Sequence, residues 1–173
     1  IPHLWMHKTQ HDARNAQGNF YFDGDTIYSY GLHFPIARHV TNVKGEAGVL
    51  LTTRSYSTTT SRHIWLVRRA IHGNSVTVLH VVQFHDDLKR LLAQLSDEIT
   101  SQQKLCFGPT GRFRATAWKE LETLVSRAND VAVFFGLRQR FTLPENTDAI
   151  KTAITREAAR KAKAEKAQAK RAA

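Results

Sequence analysis

Cysteine is nearly missing from this chain: Cys106 is the only one in 173 residues. A lone thiol excludes a disulfide framework and a cysteine-rich zinc site within the chain, so the fold must rest on its core. It also fits a reducing compartment and a cytoplasmic location. No apolar run approaches the roughly 18–20 residues of a membrane span, so no membrane partner is expected. No signal-peptide core is visible. The chain opens on Ile1 rather than Met, which leaves room for a processed leader or a longer parent. Catalytic signatures are also wanting: there is no H-E-x-x-H, no G-x-S-x-G and no Walker loop. No cofactor, metal site or catalytic residue is assigned, and the expected function is non-enzymatic. Acidic residues are the last scarcity. Asp and Glu number 15 against 25 Lys and Arg, a formal net charge of +10. Such an excess attracts phosphate polymers over a Debye length of roughly 8–10 Å.

What is present is ordinary globular material. Hydrophobic residues make up 42% of the chain, enough for one domain with a real core plus an appendage. The pattern predicts an α+β fold, an antiparallel sheet packed against about three helices, with a C-terminal basic helical extension. Residues 1–18 read as a loosely ordered, His-rich arm pinned by Trp5. Residues 19–143 read as the globular domain and 144–173 as the tail.

Within the domain, Phe20 and Phe22 share one strand face, and Asp23-Gly24 supplies a hairpin turn before Thr26–Tyr30. Strands are expected again around Ile36–Val40, Gly48–Ser57 and Ser75–Phe84. Thr58 to Ser61 offer N-cap oxygens to a helix whose Ile64, Val67 and Ile71 fall on one face, with Gly73 ending it. A second helix begins at Asp86 or Asp87 and carries the stripe Leu88, Leu91, Leu92, Leu95 and Ile99. Cys106–Arg114 reads as a loop. A third helix, about Thr116–Phe135, buries Trp118, Leu121, Val125, Ala128, Ala132 and Phe135.

The first of these helices carries the most informative surface. At 100° per residue, Arg62 and Arg69 lie one above the other opposite the apolar face, flanked by Trp65, with Arg68 nearer the core edge. Guanidinium groups bind phosphates bidentately, and an indole between them can stack on a base. The competing expectation buries Trp65 in a second core layer and pairs the arginines with carboxylates. Arg112 and Arg114 flank Phe113, and Arg138 and Arg140 precede Phe141, which also suits single-stranded nucleic acid. In the tail, Lys151 onward holds eight Lys/Arg and two Glu, a net +6 of the total +10. Beyond Ile154 nothing there exceeds Ala in apolar bulk. Arg156, Arg160, Lys161, Lys163, Lys166, Lys170 and Arg171 are its expected phosphate contacts.

The nine histidines invite other readings. His3, His7 and His11 recur every four residues, a spacing that can hold a transition metal on a helix. His33, His39 and His63 lie near Asp23, Asp25, Ser29 and Ser57 in sequence, as a hydrolase or nuclease would need. Structural roles are the better expectation for all of these, with His33 and His63 linking the strand at Tyr30–Ala37 to the helix start at Ser61.

Two strings stand out, Tyr28-Ser29-Tyr30-Gly31-Leu32-His33-Phe34-Pro35-Ile36-Ala37 and Arg54-Ser55-Tyr56-Ser57-Thr58-Thr59-Thr60-Ser61-Arg62-His63. Over roughly Asn19–Ile71 the chain resembles a family of small, uncharacterised proteins encoded by bacteriophages and other mobile elements. Its members pair a YSYG-x-HFPIA strand with a YS-x-TTS-[KR]-H junction. The resemblance implies a phage origin and a bacterial host cell, and it carries no catalytic residues. Charge, tail and arginines together predict a nucleic-acid or ribonucleoprotein-binding protein, of RNA or DNA. The alternatives are a phage-encoded protein–protein interaction module or virion component, and a His-dependent nuclease.

Overall fold

A computed structural model describes residues 1–107, 114–145 and 148–172. Its elements run α1 (Pro2–Met6), β1 (Asp12–Arg14), β2 (Phe20–Asp23), β3 (Thr26–Ser29), β4 (Pro35–Thr41) and β5 (Ala47–Thr52). Then come α2 (Thr58–Ile71), β6 (Thr77–Val81), α3 (Leu88–Phe107), α4 (Arg114–Phe134) and α5 (Asp148–Ala172). This is the expected α+β class, a six-stranded sheet with three principal helices, α2 to α4, and a helical C-terminal extension. The chain divides into two compact units, Ile1–Leu91 with Asp130–Gln139, and Leu92–Asn129 with Arg140–Ala173.

In the first unit the strands follow sequence order, β1 to β6. The β2–β3 hairpin closes at Gly24, where φ is +52°, as the Asp23-Gly24 pair predicts. One expectation fails at the end of the sheet. β5 and β6 pair parallel, with Leu50 opposite Leu79, so the sheet is mixed rather than antiparallel throughout. The cause is α2, which supplies the long crossover that parallel neighbours require.

One face of the sheet, with Phe22, Ile27, Val49 and Leu51, packs with Ile64, Val67 and Ile71 of α2 and with Trp5 and Met6. The amino-terminal segment is thus built into the fold. Trp5 is 1% exposed and its indole N–H donates to the Asp25 carbonyl at 2.9 Å, while β1 pairs with β2 along the sheet edge. On the other face Gly48 lies against the end of α4. A Cβ there would come 2.6 Å from Phe134 Cζ. Asn42 Nδ2 donates to the Phe134 carbonyl at 3.0 Å and fixes that helix end. Phe134, rather than Phe135, is the buried member of the aromatic pair.

In the second unit Leu95, Ile99 and Cys106 of α3 and Trp118, Leu121, Val125 and Ala128 of α4 are buried. Gln102 Nε2 donates to the Ala117 carbonyl at 2.9 Å. α3 continues to Phe107, so Cys106 is helical rather than in a loop, and α4 starts at Arg114. Phe141 N–H and carbonyl both bond the Asn129 side-chain amide at 2.9 Å. Every side chain of α5 whose burial is described is exposed.

Candidate nucleic-acid interface

α2 begins where β5 gives way to Arg54-Ser55-Tyr56-Ser57. Ser57 is extended (φ −151°, ψ 167°), and its hydroxyl accepts the Thr60 N–H at 3.1 Å. The cap is thus one residue ahead of the Thr58–Ser61 window. Behind it the sequence alternates by helical period. Thr60, His63, Ile64, Val67 and Ile71 turn inward, and Arg62, Trp65, Arg68 and Arg69 are exposed.

His63 anchors this geometry. Its Nδ1 lies 2.8 Å from Ser29 Oγ, and its ring stacks on Phe20 at 4.2 Å with an interplanar angle of 3°. Burial, assisted by the positive charge of Arg62, lowers its pKa below the usual histidine value. The ring is thereby held neutral and tied to β3, as expected of a structural histidine. His33 departs from that expectation. It is exposed, and its ring lies against Gly31 rather than at the helix start.

The outer face resolves the two readings of Trp65. It is 53% exposed and therefore no second core layer. The Arg69 guanidinium carbon sits 4.8 Å from the Trp65 ring, a cation–π contact that holds the indole in place. α2 contains no Asp or Glu. Among the described residues no carboxylate pairs with Arg62, Arg68 or Arg69. The carbonyl end of the helix dipole favours Arg68 and Arg69 in the last turn. It offers nothing to Arg62 or to an indole in water.

The other expected contacts are scattered. Arg138 and Arg140 are exposed in the segment after α4. Arg112 lies outside the described residues. Arg114 opens α4 instead of a loop, with its side chain outside the description. In α5, Arg156, Arg160 and Lys163 are exposed, and the side chains of Lys161, Lys166, Lys170 and Arg171 lie outside the description.

The chain matches no protein-family model, no curated protein and no solved structure.

α1 ends at Met6, so His3, His7 and His11 do not share a helix face. His11 instead lies 3.6 Å from Asp23. Among the described residues no cluster of three His, Cys, Asp or Glu side chains is placed to hold a metal ion. His39 bonds the Trp5 carbonyl through Nε2 at 3.2 Å, and burial lowers its pKa. Burial also raises the Cys106 thiol pKa, with Glu120 adding to the effect, so the thiolate is disfavoured. No described helix is long and apolar enough to cross a membrane.

Proposed function

We propose that this chain binds single-stranded nucleic acid, RNA or DNA, as a non-enzymatic protein, using the outer face of α2 as its stacking and phosphate-binding surface. One observation carries the reading: an exposed indole is held by Arg69 among three arginines that, among the described residues, pair with no carboxylate. Exposed aromatic rings cost solvation, and unpaired arginines on one face repel each other. A strand laid on that face relieves both, with a base on Trp65 and phosphates on Arg62, Arg68 and Arg69. The net +6 tail adds sequence-independent attraction. A phage origin would place this activity in the cytoplasm of a bacterial host.

Intrinsic fluorescence is the direct test, because Trp5 and Trp118 are 1% and 7% exposed and Trp65 dominates any quenching by ligand. Short oligonucleotides of RNA and DNA should quench it in a saturable, salt-sensitive way. Trp65→Ala should weaken binding, measured by anisotropy of a labelled oligonucleotide, by roughly 5–100-fold, the range for losing one stacked base. Equal affinity for the variant and the parent would refute the α2 surface as the binding face.

A further inference from the structure

The two distinctive strings of the sequence meet at one edge of the sheet. The carboxyl ends of β3, β5 and β6 and the amino end of β4 border a cleft of about 330 Å³ within the first unit. Tyr28, His33 and Phe34 come from the first string, and Arg54 and Tyr56 from the second. Arg38 lies farther along β4, and Phe84 follows β6. Carboxyl ends of parallel strands are where open α/β sheets habitually place ligands.

The lining is cationic and aromatic, and it includes no carboxylate. Arg54 is held by neutral groups only. Its Nη1 donates to the Tyr56 hydroxyl at 3.2 Å. The Gln83 amide oxygen, in the orientation that satisfies both groups, accepts from both terminal nitrogens at 3.2 Å. The Arg54 charge is positioned, and among the described residues no carboxylate pairs with it. Arg38 is fixed through Nε to Thr26 Oγ1 at 3.1 Å and pairs with Asp86, whose side chain is 94% exposed, so a phosphate would compete with an ion pair in water. Tyr56 is 68% exposed, yet it is steered by the Arg54 bond and by an edge contact with Phe34 at 5.1 Å.

The backbone at this edge of the sheet is irregular. The β3–β4 register shifts between Ile27 and Tyr28, and Tyr30 is held at φ +64°, costly for a side chain of its size. Such conformations persist where surrounding structure enforces them, and they gather at binding sites.

We infer that this cleft is a site for a nucleotide, with the phosphate between Arg54 and Arg38 and the base against Tyr56. Two guanidiniums match a phosphate bidentately, and an exposed ring matches a base. The volume lies at the low end of the roughly 300–1,000 Å³ of small-molecule sites, which suits one nucleotide rather than two. A free nucleotide and the phosphorylated end of a strand present the same chemistry to this site. The site uses none of the α2 arginines and stands apart from the function proposed for that face.

Isothermal titration of the full chain with nucleoside monophosphates, the matching nucleosides and inorganic phosphate tests it. The monophosphate should bind more tightly than either of its parts. Arg54→Gln should weaken it about 10–100-fold, the range for losing a charge-assisted hydrogen bond. Tyr56→Ala, on an exposed side chain, should weaken the monophosphate by a larger factor than inorganic phosphate, because it removes the stacking ring as well as one bond to Arg54. Trp65→Ala should leave monophosphate binding intact, which separates this site from the α2 face. Oligonucleotides with and without a 5′-phosphate then identify the source. Stronger competition by the phosphorylated strand assigns the site to strand ends, and equal, weak competition assigns it to free nucleotide. Absence of monophosphate binding, or an Arg54→Gln variant that is folded by circular dichroism and binds like the parent, would overturn the assignment.

Discussion

His63 shows how one side chain couples the sheet to the helix that bears the candidate surface. Its folded pKa is lowered from 6.5, first by burial and then by Arg62, so the unfolded chain binds a proton more readily than the folded one. His39 is shifted in the same direction, chiefly by burial. Stability therefore rises with pH across this window. The contribution is complete above about 6.5 and is lost as pH falls from there through the folded values. Urea unfolding at a series of pH values from 8 to 5 should show this decline, and His63→Gln should make it shallower while lowering stability at pH 8. An unchanged slope in the variant would mean that His63 does not titrate with folding. Gly48 makes a second point at this scale. Its missing side chain is what admits the Phe134 ring, so Gly48→Ala should destabilise by about 1–3 kcal/mol in the same assay, the usual cost of overpacking.

At the scale of elements, α2 depends on a cap that can be removed without touching its outer face. Ser57 satisfies the Thr60 N–H, and its carbonyl accepts from the Ser61 hydroxyl at 3.0 Å. Ser57→Ala retains the carbonyl and loses only the hydroxyl, so it should cost about 1 kcal/mol of unfolding free energy. Thermal melts of the variant measure that loss directly. The helices were legible because 3.6-residue stripes such as Ile64, Val67 and Ile71 recur over several turns, and the first hairpin because Phe20 and Phe22 share one strand face ahead of the Asp23-Gly24 turn. The direction in which β6 pairs was less visible, since periodicity says nothing about a strand's neighbours. The signal lay in the helix between two strands, which is what a parallel pair needs. β1, with the sequence Asp-Ala-Arg, has no apolar alternation at all and is recruited by pairing with β2. The surface around Trp65 could be placed by arithmetic on one helix. The cleft could not, because Arg38 lies on β4 while Arg54 and Phe84 follow β5 and β6, and they meet only through the sheet register.

For the molecule as a whole, charge is unevenly spread: the segment from Lys151 holds +6 of the total +10. α5 forms from Ala, Lys, Arg and Glu, all strong helix formers, and every described side chain along it faces water. Beyond Ile154 its sequence holds nothing larger than Ala in apolar bulk, and a helix with so narrow an apolar stripe gains little from packing. A membrane-surface role would need bulky apolar residues on one side, which the stretch beyond Ile154 lacks. Its remaining asset is positive charge at high local density, and the binding of that charge to phosphates is driven by counterion release. Each phosphate neutralised on a single strand contributes about −0.7 to the slope of log K against log salt. If about half of the eight tail cations engage, deleting residues 151–173 should flatten that slope by about 3. The affinity loss should then be large at low salt and small at high salt, while far-ultraviolet circular dichroism loses only the signal of one helix. Stacking on Trp65, being insensitive to salt, should survive the deletion as residual quenching by oligonucleotide. An unchanged slope would reduce α5 to a solubilising appendage and leave the α2 face to account for all binding.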